Sequence, residues 1–385
     1  MSDWIEISIP TLRGKECEYL QKCINTNFVS SIGPFISDFE SAISENIGLP
    51  PHSAAATSSG TTALQLGLLA LGVKQNDLVI VPTYTFIATA NAVSHVGANP
   101  WILNSEMDYL TIDTYELEKE LEFNTYKENG LTFHKETKQR IACIVPVYIF
   151  GCPPNIDQIK KIASKFSIPI LLDSACGLGA KYKDSKMGQN NLPGIISFNG
   201  NKTITTGAGG IFYSNDKIIV NRVKHLSSTA KSSSKYEHNE IGYNYRMSNI
   251  QAALGLAQLE QLEEIINQKK LIHINYKQSF NNCKQFTFIS NPTWGESSHW
   301  LNAIALKKGI HKNIEQLIQK LRDSKIRANY FWKPLHLQIP YKKSLKSNLN
   351  ELNDIQERIL VLPSSPSLNI EEQEKVIDII QKFFK

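Results

Sequence analysis

An α/β fold organised around a mostly parallel sheet is what this sequence predicts, and three observations lead to it. Between about residues 50 and 215, seven short apolar runs alternate with helix-length amphipathic segments. Most of those runs lack in/out alternation, as strands do when helices cover both faces of a sheet. The chain has 385 residues, of which 42% are hydrophobic, enough for one large domain and a smaller one.

The runs read as strands are Ser53–Thr57, Leu78–Pro82, Pro100–Leu103, Ile141–Phe150, Pro169–Asp173, Gly194–Asn199 and Gly210–Ser214. Between them, Thr61–Leu71, Thr85–Val96, Asp113–Glu122 and Asn155–Phe166 carry apolar residues near helical spacing. Segment 123–140 is polar and aperiodic and reads as a surface insertion. Past Ser248, the ladder Ala253, Leu256, Leu259, Leu262 and Ile265 predicts one long helix over Asn249–Lys269 that leads into a smaller C-terminal α+β domain. There the pattern gives helices over Lys312–Ser324 and Ile370–Phe384 and short strands around Trp300–Leu306 and Arg327–Trp332. The expected division is a large domain over 1–265, with an N-terminal arm, and a small one over 266–385. Ser227–Ser234 reads as a mobile loop.

The 41 basic and 36 acidic residues give a net charge of +5, with lysines scattered along the chain. This favours a small anionic ligand over nucleic acid. The first residues lack the basic and apolar parts of a secretion signal, and no apolar stretch approaches the roughly 20 residues of a spanning helix. No membrane association is expected. The six cysteines form no C-x-x-C pair and have no histidine at metal-ligand spacing, so reduced thiols, a cytoplasmic location and no metal are expected.

Three segments carry candidate chemistry. Thr57-Ser-Ser-Gly-Thr-Thr-Ala-Leu64 runs from a strand through a glycine into a helix N-terminus, where free N–H groups and the hydroxyls of Thr61 and Thr62 suit a phosphate. An ordinary helix cap reads the same way. In Ile170-Leu-Leu-Asp-Ser-Ala-Cys-Gly177, Asp173 ends an apolar strand at the carboxyl edge of the sheet, where ligands of open α/β folds bind. A carboxylate there can hold a pyridinium nitrogen protonated, or simply cap a turn. Finally, Ile196-Ser-Phe-Asn-Gly-Asn-Lys-Thr-Ile-Thr-Thr-Gly-Ala-Gly-Gly-Ile211 places Lys202 in a loop between two strands, aimed at the same edge, although by itself it reads as a plain loop lysine.

In order and wording these segments resemble the DegT/DnrJ/EryC1/StrS sugar aminotransferases of the fold-type-I pyridoxal 5'-phosphate (PLP) class, from about Asn27 to Pro363. Supporting phrases are Val81-Pro-Thr-Tyr-Thr-Phe-Ile-Ala-Thr-Ala-Asn91, Pro146-Val-Tyr-Ile-Phe-Gly151, Gly242-Tyr-Asn-Tyr-Arg-Met-Ser-Asn-Ile-Gln-Ala-Ala253 and Lys333-Pro-Leu-His336. The resemblance implies a PLP-dependent transferase fold with a seven-stranded sheet. It implies that Lys202 holds the cofactor as a Schiff base and moves protons, and that Asp173 pairs with the ring nitrogen. Gly60, Thr61, Thr62 and Ser197 would hold the phosphate, and Phe86 would stack on the ring unless it is a core residue on its helix. Asn244 would reach the phosphate from a neighbouring subunit, which implies a homodimer with shared active sites. One position departs from the pattern: Cys176 stands where many members have Gln, Glu or His against the ring's 3-oxygen, and a thiol is a weak hydrogen-bonder.

The resemblance further implies transfer of an amino group from glutamate to a nucleotide-linked keto sugar, as in bacterial surface polysaccharide or O-antigen (lipopolysaccharide) biosynthesis. The phrases Asn27–Gly33, Ser197–Lys202 and Ser298–Asn302 look most like the subgroup that aminates C4 of UDP-4-keto-6-deoxy-N-acetylglucosamine, with GDP-4-keto-6-deoxymannose, the perosamine precursor, next. His225, Lys231, Tyr330, Trp332 and His336 are candidate substrate contacts, or loop and packing residues. A sugar dehydratase of the same fold would carry His in place of Lys202. A PLP-binding regulatory protein without turnover stays open, and a Rossmann oxidoreductase is disfavoured because no G-x-G-x-x-G follows the first strand.

Overall fold

Alternate residues of the central strands point into two different apolar layers, which is why those strands read as unbroken hydrophobic runs. Leu78 and Ile80 pack into one layer with Trp101, Leu103, Ile141 and Ile144; Val79 and Val81 pack into the other with Ile102, Ala142 and Cys143. The structure is a computed structural model and describes residues 3–233, 235–310 and 314–384.

The strands of the large sheet are β1 (Ala54–Thr57), β2 (Leu78–Pro82), β3 (Asn99–Leu103), β4 (Ile141–Ile144), β5 (Leu172–Asp173), β6 (Gly194–Ser197) and β7 (Gly210–Tyr213). Their spatial order is β1-β7-β6-β5 continued by β4-β2-β3, the halves joined by the parallel bridges Ile144↔Ile170 and Val147↔Asp173. Only β7 runs antiparallel to its neighbours, so the sheet is the mostly parallel, seven-stranded one expected.

The helices are α1 (Glu16–Asn25), α2 (Pro34–Asn46), α3 (Gly60–Ala70), α4 (Ala88–His95), α5 (Thr114–Asn124), α6 (Ile156–Phe166), α7 (Lys217–Ser227), α8 (Asn249–Leu259), α9 (Leu262–Phe280), α10 (Ile314–Asp323) and α11 (Ile370–Phe384). Several begin on side-chain caps legible in the sequence: Asp113 accepts from the amides of Tyr115 and Glu116, Asn155 from that of Gln158, and Ser248 forms a reciprocal box with Gln251. Towards the C-terminus a second, antiparallel sheet orders β8 (Phe286–Phe288), β9 (Asn302–Leu306), β11 (Ile359–Leu362) and β10 (Asn329–Tyr330) side by side. Its own apolar cluster includes Tyr276, Phe280, Leu317 and Val376 from α9, α10 and α11.

Several expectations need correction. Segment 123–140 is not aperiodic surface chain: Thr125–Glu128 and Leu131–His134 pair as a hairpin that buries Thr132 and His134. The helix expected over Asn249–Lys269 is two helices, broken at Glu260 and Gln261, where the Gln261 amide donates to the Gln258 carbonyl, three residues back, and its side chain donates to the Ala257 carbonyl and to Glu16. Strand β4 stops at Ile144, six residues short, where the chain turns towards Phe150 in a left-handed conformation at φ +55°. Helix α4 begins three residues later than expected, at Ala88. In the Ser-rich segment, Ser227 ends α7 while Ser228 and Lys231 are tied by bridges to Asn244 and His238. Ser234, Lys312 and Asn313 lie outside the described residues.

Candidate active site

Strand order brings the three sequence-distant segments to one place. β1, β5 and β6 end at the same edge, and a cavity of about 330 Å³ opens there. Of the expected site residues, Gly60, Thr61, Phe86, Asp173, Cys176, Ser197, Lys202 and Trp332 line it; Thr62, Asn244, His225, Lys231, Tyr330 and His336 do not.

One end of the cavity is the start of α3. Ser59 caps this helix by accepting from the Thr62 amide at 3.1 Å, while Thr62 Oγ1 accepts from the Ser59 amide at 3.0 Å and donates to the Ser59 carbonyl at 2.8 Å. The Thr62 hydroxyl is thus spent on the cap and not presented to the cavity. The amides of Gly60 and Thr61 have no acceptor within the helix and stand at its positive end, a suitable seat for a phosphate. Close packing requires glycine here. A Cβ on Gly60 would lie 2.9 Å from that of Ser197, and one on Gly210 would lie 2.5 Å from the Ser59 carbonyl carbon.

Across the cavity, Asp173 is almost fully buried. Its Oδ2 accepts from Thr89 Oγ1 at 2.7 Å and its Oδ1 from the Ala175 amide at 3.1 Å; Thr85 supports Thr89 at 2.7 Å. Burial pushes the Asp173 carboxyl up from its ordinary value, opposed by these two hydrogen bonds and by the charge of Lys202. The Lys202 loop is pinned by its own backbone: the Lys202 amide donates to the Asn199 carbonyl at 2.9 Å, and the Thr206 amide to that of Phe198 at 3.0 Å. Lys202 Nζ donates to Cys176 Sγ at 3.1 Å and lies 4.2 Å from the centre of the Trp300 ring. Burial raises the Cys176 thiol, with Lys202 pulling the other way.

These groups fit PLP. An amine, a buried carboxylate and a helix N-terminus surround one cavity, and glycines hold its walls close. Phe86 is 51% exposed at the rim and packs on Trp332 at 5.3 Å, so it is no core residue.

Comparison with known proteins agrees with this geometry. The sequence profile of the DegT/DnrJ/EryC1/StrS aminotransferase family matches residues 10–381. The chain belongs to that family. Members are PLP-dependent aminotransferases, and this chain is one. GDP-perosamine synthase of Escherichia coli O157:H7 is 34% identical over 383 residues, covering 99% of each chain. The UDP-4-amino-4,6-dideoxy-N-acetyl-beta-L-altrosamine transaminase of Campylobacter jejuni (strain 81-176) is 30% identical over 352 residues, covering 90% of this chain and 89% of its own. A crystal structure of a family member from Brucella abortus superposes with a TM-score of 0.87 at 26% identity, covering 96% of this chain and 95% of its own.

The remaining candidates sit elsewhere. His225 Nε2 faces Asn239 Oδ1 at 2.9 Å and Glu240 Oε1 at 3.4 Å. Exposed Lys231 stacks over Tyr236, and Tyr330 packs against the small-sheet core. His336 is a buried clamp, with Nδ1 at 2.6 Å from Thr83 Oγ1 and Nε2 at 3.0 Å from Asn353 Oδ1. Asn244 is exposed.

Sequence reasoning missed Thr89 and Trp300. Thr89 left a faint signal, a polar residue one helical turn from Thr85. For Trp300, nothing in the sequence foretells a contact with Lys202.

All six cysteines are unpaired, and among the described residues no helix is long and apolar enough to cross a membrane.

Proposed function

We propose that this aminotransferase moves an amino group from glutamate to C4 of a nucleotide-linked 4-keto-6-deoxy sugar, with UDP-4-keto-6-deoxy-N-acetylglucosamine the favoured acceptor. The observation that carries the reading is the convergence of Lys202, Asp173 and the α3 N-terminus on one cavity.

PLP, when bound, supplies an electron sink for the bond to hydrogen at the donor's α-carbon. The residues supply the rest. The Gly60 and Thr61 amides and the Ser197 hydroxyl would hold the phosphate, and the Asp173 carboxylate would hold a proton on the ring nitrogen. Lys202 Nζ would hold the cofactor through its carbonyl carbon between turnovers. Its amine, when free, would take the proton from the donor's α-carbon and, in the second half-reaction, would deliver one to C4 of the sugar. Phe86 and Trp332 pack on one another at the cavity wall.

The acceptor assignment is supported by the sequence phrases around Asn27 and Ser298, and its UDP-linked, N-acetylated class by the Campylobacter relative, whose own sugar is an altrosamine. The GDP-linked 4-keto-6-deoxymannose is the second reading, favoured by end-to-end similarity to a GDP-perosamine synthase.

Two further parts belong to the same reading. The chain divides near residue 265 into a large PLP-binding domain and a small one, with Trp300 and Trp332 of the second closing a cavity built by the first. The active unit is a homodimer in which Asn244 reaches the partner's phosphate site; its exposure and that of Ile241, 86% exposed three residues away, support this.

The test is a visible spectrum of the protein with PLP, followed by additions. Glutamate should bleach the cofactor band, and one of the UDP-, GDP- or dTDP-linked 4-keto sugars should restore it. A band that glutamate leaves untouched overturns the donor assignment; a bleached band that none of these sugars restores overturns the acceptor. Mixing inactive Lys202→Ala with inactive Asn244→Ala should regenerate activity if sites are shared, and no recovery would rule that out.

A further inference from the structure

We propose that Trp300 is the positioning residue for Lys202: it fixes the loop that carries the lysine and provides the surface on which the free amine rests. The proposal rests on Lys202 being the residue that bonds PLP.

Five contacts build the arrangement. The indole N–H of Trp300 donates to the Asn201 carbonyl at 2.7 Å, immediately before Lys202. The indole face lies 4.2 Å from Lys202 Nζ, well inside the range over which an aromatic ring attracts an ammonium. The backbone of Trp300 is held in turn by Lys269, a fully buried side chain on α9 whose Nζ donates to the Trp300 carbonyl at 3.0 Å and to the Ser364 carbonyl at 2.8 Å. Two residues earlier, Ser298 Oγ donates to the Cys176 carbonyl at 2.7 Å, so the same segment also fixes the other neighbour of the amine.

The local backbone points to a built feature. His299 adopts a left-handed conformation, φ +52°, uncommon outside glycine, and is held in it by the Ser297 hydroxyl, which accepts from the His299 amide at 2.9 Å. That turn directs Trp300 into the cavity, where it is 2% exposed.

The consequence is mechanical. A lysine that leaves and rejoins the cofactor in each cycle has four rotatable carbons and no helix to stiffen it. With Cys176 Sγ at 3.1 Å on one side and the indole on the other, Nζ stays in a narrow region instead of sampling the cavity. Rate depends steeply on such placement; a displacement of about 1 Å costs up to roughly a hundredfold.

The experiment uses full-length apoprotein with added PLP. The complex is quenched with borohydride at timed intervals, and the fraction of Lys202 carrying the phosphopyridoxyl mass is read by peptide mass spectrometry. Trp300→Leu removes both the N–H and the aromatic face, Trp300→Phe removes the N–H but keeps a smaller aromatic face, and Ile380→Ala, a buried core site on α11, reports the effect of lost stability alone.

The expected result is attachment slowed about tenfold or more in Trp300→Leu and less in Trp300→Phe, with Ile380→Ala near the wild-type rate. A second reading uses α-deuterated glutamate in single turnovers of the holoenzyme. Its isotope effect should rise in Trp300→Leu because proton transfer becomes the slow step.

Attachment at the wild-type rate in folded Trp300→Leu overturns the proposal. So does equal slowing in Ile380→Ala, which makes the effect one of stability. If the wild-type protein gains no label on Lys202, the assignment of that lysine falls first and the proposal with it; labelled wild type with indifferent Trp300 variants sinks only the proposal.

Discussion

Lys202 and Lys269 both touch Trp300, one at the indole face and the other at the backbone carbonyl, and the chain treats the two amines differently. Lys202 is half-buried at a cavity, with a sulfur and an indole face for company. Lys269 is sealed in the interior, its amine facing two carbonyls, and burial lowers its pKa to about 7. That lowering reflects enclosure, for Lys269 does not line the cavity. What distinguishes Lys202, the amine proposed to react, is access: it shares a cavity with a carboxylate and a helix N-terminus.

The sharpest way to break this comparison is to remove each amine. Lys202→Ala should abolish the covalently bound cofactor band and lower turnover by roughly 10⁴-fold or more, since both the anchor and the proton carrier are lost. Equal loss from Lys269→Met would show that the two lysines share one role. Next in size is Asp173→Asn, which keeps shape and burial but not charge. Its turnover should fall about a hundredfold or more while PLP still binds, as when one preorganised electrostatic contact is removed; stopped-flow half-reactions with glutamate measure it.

Lys269→Met should cost turnover at most about tenfold, through Trp300. Its clearer signature is the pH dependence of stability. The folded pKa of Lys269 lies near 7 against an ordinary 10.5, so between those values the unfolded chain holds a proton that the folded chain does not. Wild-type stability therefore rises with pH across that window, and the variant lacks this contribution. The difference in melting temperature, wild type minus variant, should increase from pH 7 to pH 10 in calorimetric scans. A flat difference would mean that the buried amine does not titrate there.

The smallest effect is expected at Cys176. A thiol hydrogen bond is weak, so Cys176→Ala should change PLP affinity by about 0.5 kcal/mol, twofold to threefold in equilibrium titration. A loss of more than tenfold would give the thiol the role that Gln, Glu or His takes in the resembling proteins.

Elements held by local patterns were legible in the sequence. Each strand of the large sheet showed as an apolar run, and Ser59 to Thr62, Asp173 and Lys202 could be placed on a cap, a strand end and a loop because each such feature is coded within a few residues. Features that depend on distant partners were not. Thr62 pointed equally well to a phosphate or a cap until the Ser59 hydrogen bonds decided for the cap. At the break between α8 and α9, Gln261 bonds Glu16, far away in sequence. His225, Lys231, Tyr330 and His336 had suitable chemistry, but packing gave them other neighbours.

By itself, the sequence determined the class of fold, the order of its strands along the chain and the three segments with the means to hold a phosphate, a ring nitrogen and a carbonyl carbon. These follow from hydrophobic period and from backbone chemistry local to each segment. Only the tertiary structure decided that the segments meet at one cavity, that Thr89 supports Asp173 and that Trp300, 99 residues beyond Asn201, clamps the carbonyl next to Lys202. Such contacts are set by how strands order and how the second sheet docks, and no periodicity along the chain records them.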